Sequence, residues 1–103
     1  MDSISATKRH CKLCFDTLIA VLKKEPKPEY PKDLPDAEVP LFVTWKLNGD
    51  LRGCIGTFSP DRLSKLVPDY AIISGMKDSR FEPISLEEVP SLTVHVSLLV
   101  NFQ

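Results

Sequence analysis

The sequence predicts an α+β domain built on a mainly antiparallel sheet, and three observations carry that reading. Apolar residues recur at helical spacing near the start, two alternating segments flank Asn48-Gly49, and a third alternating segment runs from Leu92 to Leu99. The resulting order of helix, hairpin, helices and strand lacks the strand-helix-strand alternation that builds parallel sheets. With 103 residues, 43% apolar and 26% charged, the chain is long enough for one modest core and too apolar for a disordered segment.

The first element is an amphipathic helix from about Ser5 to Lys24, with Cys11, Cys14, Phe15, Leu18, Ile19 and Leu22 on one stripe. Ser3 or Ser5 is expected to cap it, Lys23 and Lys24 suit its negative end, and Pro26 stops it. Residues 25–40 carry Pro26, Pro28, Pro31, Pro35 and Pro40 and read as an extended surface connector. A ligand for a proline-binding domain is the weaker alternative for that segment.

Leu41 to Leu47 alternates as a strand, Asn48-Gly49 predicts a two-residue turn with positive φ at both positions, and Leu51 to Phe58 is the return strand. A simple hairpin sets Leu47 opposite Asp50, Trp45 opposite Arg52 and Val43 opposite Cys54. Arg52 and Cys54 then share the Trp45 face, and a bulge at either glycine reverses part of this. Ser59-Pro60-Asp61 reads as a helix start, with a short helix burying Leu63, Leu66 and Val67 and a second starting near Pro68. Ser85-Leu86-Glu87-Glu88 is a capping box opening about one turn before Pro90, and Leu92 to Leu99 is the third strand.

Charge and composition exclude some roles. A formal net charge of −1 lacks the basic excess of a non-specific nucleic-acid binder. No apolar run approaches bilayer length, and Met1 to Lys8 lacks the features of a signal peptide. Three cysteines without framework spacing fit reduced thiols, and hence the cytoplasm or nucleus.

Chemistry-bearing residues gather in two places. Leu51-Arg52-Gly53-Cys54-Ile55-Gly56 puts an arginine, a thiol and two glycines inside an apolar strand, where glycine marks a bulge or a close approach. Cys54 is the candidate nucleophile, with Arg52 nearby to favour its thiolate and only His10 or His95 to serve as base. Against this stands a small buried thiol between packing glycines, which is the commoner arrangement. Lys77-Asp78-Ser79-Arg80-Phe81 is the second cluster, able either to bind an anionic group or to end a helix. Arg52, Gly53, Cys54, Gly56, Lys77, Asp78, Ser79 and Arg80 are accordingly the candidate ligand-binding residues. Cys11 and Cys14 have zinc half-site spacing without a second pair, and their place on the helix stripe assigns them to the core. Nothing in the residues names a cofactor.

Pro40 to Lys46, Leu51 to Phe58, Lys77 to Phe81, and Val96-Ser97-Leu98-Leu99 with Asn101-Phe102 closely resemble the AMMECR domain. Cys11-Lys12-Leu13-Cys14-Phe15-Asp16 is similar to the cysteine-rich first helix of its eukaryotic members. The resemblance implies an α+β fold of two subdomains around a cleft, with the hexapeptide as its hallmark. It implies no particular reaction. Regulatory and enzymatic roles go with it, nuclear ones among them, and so does a Memo-type protein as partner, since microbial relatives occur beside or fused to such proteins. Residues 1–103 would then be the N-terminal half of the domain. Because Leu92 to Val100 is apolar enough to want neighbours on both edges, the chain alone is expected to be marginally stable or to associate. The functional expectation is a non-catalytic interaction or regulatory module with a cleft lined by Leu51–Gly56. The alternative is a cysteine-dependent enzyme using Cys54 on a small anionic or carbonyl-bearing substrate.

Overall fold

A computed structural model describes residues 2–100; Asn101 and Phe102, part of the resemblance above, lie outside them. In chain order the elements are β1 (Asp2–Ser5), α1 (Lys8–Lys23), β2 (Glu38–Leu47), β3 (Asp50–Arg62), α2 (Leu63–Met76), a 3-10 turn (Leu86–Ser91) and β4 (Leu92–Val100). The four strands form one antiparallel sheet in the order β1-β4-β2-β3, bearing out the α+β expectation.

The alternation read in β2 decides how the layers pack. Leu41, Val43 and Trp45 are fully buried, while Phe42 and Thr44 are half-buried and Lys46 is exposed. Both helices cover the inner face: Leu13, Cys14 and Leu18 of α1 and Leu63, Leu66, Val67 and Ala71 of α2 meet Leu41, Val43, Trp45, Leu92 and Val96. Trp45 sits at the centre, its indole N–H donating to the Ala71 carbonyl at 3.1 Å and its ring edge-on to Phe15 at 5.1 Å. Cys14 belongs to this core, and burial pushes its thiol up to about 12.

Several sequence expectations are corrected here. Ser3 and Ser5 do not cap α1, because their backbone belongs to β1 and pairs with Leu99 and Ser97. The N-cap is Thr7. β1 also gives β4 a neighbour on its second edge, which three predicted strands lacked. No helix starts at Ser59: Val39 pairs with Asp61 and Glu38 with Arg62, so the chain stays extended through Pro60. The two short helices are one, running through Pro68, which removes a single backbone donor inside a helix held by its packing. Its cap comes from the proline-rich connector, where Asp36 accepts from the Ser64 backbone N–H and hydroxyl, both at 2.8 Å. These hydrogen bonds hold the Asp36 carboxyl below its ordinary range.

The hairpin turn is as expected, with φ of 50° at Asn48 and 87° at Gly49, but the register beyond it shifts. Lys46 pairs with Leu51 and Trp45 with Gly53, so Arg52 is the extra residue of a bulge. Cys54 therefore lies opposite Thr44, on the outer face of the sheet and away from the Trp45 face.

One pH prediction arises at the cap of α1. The Thr7 backbone N–H donates to His10 Nδ1 at 3.2 Å, and the Thr7 hydroxyl lies 2.8 Å from the same nitrogen. A neutral imidazole accepting at Nδ1 carries its proton on Nε2, which is buried without a partner among the described residues. Burial, reinforced by Arg9, lowers the His10 pKa. A folded-state value below the unfolded one means that this stability is complete above the unfolded pKa of 6.5 and is lost as pH falls towards the folded value. Urea midpoints measured from pH 8 to pH 5 are expected to fall below pH 6.5 in the native chain and to fall less in His10→Gln. Parallel curves for the two chains would exclude His10 as the cause.

Candidate functional site

The hexapeptide begins with the bulge, and Arg52 is fully engaged there. Its Nε and Nη2 donate to the Glu88 carboxylate at 2.9 and 3.1 Å, Nη1 donates to the Glu82 carbonyl at 2.6 Å, and Nη2 reaches the Pro83 carbonyl at 3.2 Å. Glu88 also accepts from the Ser85 N–H at 2.9 Å, so the predicted capping box and the arginine share one carboxylate. These contacts hold the Glu88 carboxyl below its usual range. Arg52 thus ties the segment before β4 to the hairpin. None of its recorded donors goes to Cys54.

Each glycine marks a close approach. A Cβ on Gly53 would overlap the Ser74 carbonyl oxygen, so the end of α2 lies directly on the strand. A Cβ on Gly56 would overlap the Leu41 carbonyl oxygen and the Phe42 ring, which leans across that position.

Between them, Cys54 presents its backbone to the Lys77–Arg80 segment. Asp78 is 6% exposed and accepts the Cys54 N–H at 3.0 Å, while Arg80 Nη2 donates to the Cys54 carbonyl at 3.2 Å. Arg80 closes the clasp onto Asp78 through Nε at 3.0 Å and Nη2 at 2.6 Å. The arginine and the Cys54 N–H hold the Asp78 carboxyl well below the usual carboxylate range. The two predicted clusters therefore meet at Cys54, Asp78 and Arg80. Arg52 is held apart on Glu88, and Lys77 and Ser79 are exposed.

On the outer face a row crosses three strands, since Thr44 pairs with both Cys54 and His95. Thr44 Oγ1 and Cys54 Sγ are 3.1 Å apart, and His95 is exposed. Next to this row Phe42 and Phe58 form an edge-on pair at 5.3 Å, with Phe58 72% exposed. Sequence reading missed Phe42, Thr44, Phe58 and Glu88 as parts of the site. Of the two glycine bulges it allowed for, one at Gly53 would have brought Thr44 opposite Cys54, and the Glu88 capping box was the visible trace of the Arg52 anchor. Two shallow depressions lie elsewhere, between α1 and the connector, lined by residues such as Asp16, Lys23 and Pro26, and Arg9, Lys12 and Pro31.

Fold and site together define an α+β protein whose glycine-flanked cysteine strand is clasped by a buried aspartate. The chain belongs to the AMMECR1 family, whose profile matches residues 11–103. It is 43% identical over 105 residues to an uncharacterised protein of Arabidopsis thaliana, covering 97% of this chain and 48% of the relative. A protein of Thermotoga maritima is 40% identical over 78 residues, covering 73% of this chain and 45% of its own length. The crystal structure of an uncharacterised protein from Pyrococcus horikoshii superposes with a TM-score of 0.79 at 34% identity, covering 88% of this chain and 49% of that one. The chain spans about half the length of these relatives. No described helix is long and apolar enough to cross a membrane.

Proposed function

We propose that this chain is a non-catalytic protein-interaction or regulatory module whose contact surface is the outer sheet face around Phe42, Thr44, Cys54 and Phe58. The observation that carries the reading is the use made of the motif's polar groups. Arg52 is spent on Glu88 and two carbonyls, and the Cys54 N–H and C=O are spent on Asp78 and Arg80. The motif thus acts as scaffold, and the apolar face beside it carries the contact, because exposed aromatic clusters mark interaction surfaces.

A Memo-type protein, the partner implied by family resemblance, is the first to test. Mixed with this chain on a sizing column, it is expected to co-elute with the native chain and with Cys54→Ser but not with Phe58→Ser. Co-elution indifferent to Phe58→Ser would move the surface elsewhere.

The Cys54–Thr44–His95 row favours a second reading, a cysteine-dependent enzyme acting on a small anionic or carbonyl-bearing substrate, with Cys54 as nucleophile. It requires a reactive thiol. Cys14 is buried while Cys11 and Cys54 are half-buried, so iodoacetamide labelling at pH 7 is followed on the Cys54 peptide by mass spectrometry. Under the interaction reading, Cys54 is expected to label no faster folded than in the urea-unfolded chain. Labelling ten times faster when folded would overturn that reading in favour of the enzyme.

A further inference from the structure

The outer edge of β3 is protected at both ends and open between them. β3 is the last strand of the sheet and pairs only with β2 among the described residues. The Cys54 N–H and C=O point outward from β2, since Asp78 and Arg80 take them. Residues of an antiparallel strand alternate in this respect, so the N–H and C=O of Gly56 and the N–H of Phe58 also point outward. No described group pairs with them. At one end the Asp78–Arg80 clasp fills the place of a neighbouring strand. At the other, the register shift between Val39 and Leu41 and the exposed Pro60 end the regular ladder. Protein edges are ordinarily blunted along their length, and here the unblunted stretch carries Phe58, which is 72% exposed.

Three features say what fits this stretch. Its free groups are those of a β-ladder, which only extended backbone satisfies. The Phe42 ring leans over Gly56 towards the edge, and Phe58 flanks it, so a side chain opposite Gly56 on the outer face meets two aromatic rings. The Arg80 guanidinium lies against the edge at Cys54 with its side chain 56% exposed, and no described acceptor takes its Nη1. A segment running antiparallel to β3 from Phe58 towards Cys54 meets the clasp and cannot continue along the edge. It must end there, with its carboxylate beside Arg80.

We infer that the open edge of β3 at Gly56–Phe58 is a docking site for the extended C-terminal segment of a partner protein. That segment adds as a strand, places an apolar penultimate side chain on Phe42 and Phe58, and pairs its terminal carboxylate with Arg80. This rests on the interaction reading above and specifies its partner's chemistry.

The test uses an array of decapeptides with apolar extended C-termini, each as free acid and as amide, with hits measured by fluorescence polarisation. Free-acid peptides are expected to bind, and their amides at least tenfold more weakly. Phe58→Ala deletes the ring alone and Phe58→Pro also deletes an N–H that faces solvent and not β2, so both should melt like the native chain, with Phe58→Pro binding more weakly than Phe58→Ala. In Arg80→Gln, acid and amide should bind alike. Equal binding of acid and amide to the native chain would overturn the carboxylate assignment, and equal binding to Phe58→Pro and Phe58→Ala would overturn the edge. No binding at millimolar peptide would overturn both, as would a concentration-dependent dimer that Phe58→Pro dissolves, since the edge would then serve a second copy. A partner that co-elutes and is lost with Phe58→Ser, yet tolerates both Arg80→Gln and deletion of its own C-terminal residues, would leave the interaction reading intact and remove this one.

Discussion

Trp45→Ala is expected to cost about 3–5 kcal/mol, the usual range for deleting a large aromatic from a packed core. A domain of this size has roughly 5–15 kcal/mol in total, so the variant should be near the edge of folding at room temperature. Trp45 is fully buried and touches every layer: it faces Phe15 of α1, donates to Ala71 of α2, and lies in the central strand β2. Its Nε1 also lies within contact distance of the Gly75 position. Trp45→Phe separates the two contributions, because it keeps most of the ring volume but leaves the Ala71 carbonyl without the indole donor, at about 1 kcal/mol. Trp45 is the sole tryptophan, so the comparison needs urea unfolding followed by far-ultraviolet circular dichroism. A loss under about 1 kcal/mol for Trp45→Ala would contradict its central place in the core.

What the sequence made legible was local. Asn48-Gly49 dictates its own turn because the required positive φ is a property of those two residues, and β2 alternates because one of its faces is dry. The capping box at Ser85 and Glu88 is equally self-contained. What escaped was set by residues distant in sequence. The Arg52 bulge places Gly53 beneath Ser74, and only the packing of α2 requires that register. The start of α2 is fixed by Asp36, 28 residues before the Ser64 it caps, which outweighs the local helix signal at Ser59-Pro60. β1 exists because β4 offers an edge, and its four residues carry no alternation long enough to read.

The same division runs through the candidate site. Cys54, Asp78 and Arg80 were visible as unusual residues, but the sequence could not say that the aspartate would take the Cys54 backbone and leave its thiol beside Thr44. Phe58 is the sharpest case. In sequence it is one more apolar residue at a strand end, and in the fold it is the most exposed large apolar side chain described. Exposure is a tertiary property, and no local pattern records it.

Gly53→Ala is expected to be among the most damaging single-methyl additions in the protein, at about 3 kcal/mol or more, towards the upper end for overpacking. The atom that the new methyl would meet is the Ser74 carbonyl oxygen, backbone of a helix packed on the core, which cannot turn aside as a side chain would. Relief requires α2 to lift off β3, and that motion disturbs Ala71 and with it the Trp45 hydrogen bond. Gly75→Ala supplies the contrast: the nearest neighbours of its new methyl are side-chain atoms of Ile84, Leu18 and Trp45, each at 3.3 Å, which need give by only a few tenths of an ångström. Thermal unfolding of the two variants beside the native chain should therefore show Gly53→Ala strongly lowered and Gly75→Ala much less so. The comparison bears on function because glycine in this motif has two physical explanations, close packing of a helix or close approach of a ligand. If Gly53→Ala melts with the native chain, the helix does not require that glycine, and a ligand lying against the strand becomes the better account of its presence. If the variant collapses as expected, Gly53 is there for α2, and the search for a binding surface belongs on the opposite face, with Phe42, Cys54 and Phe58.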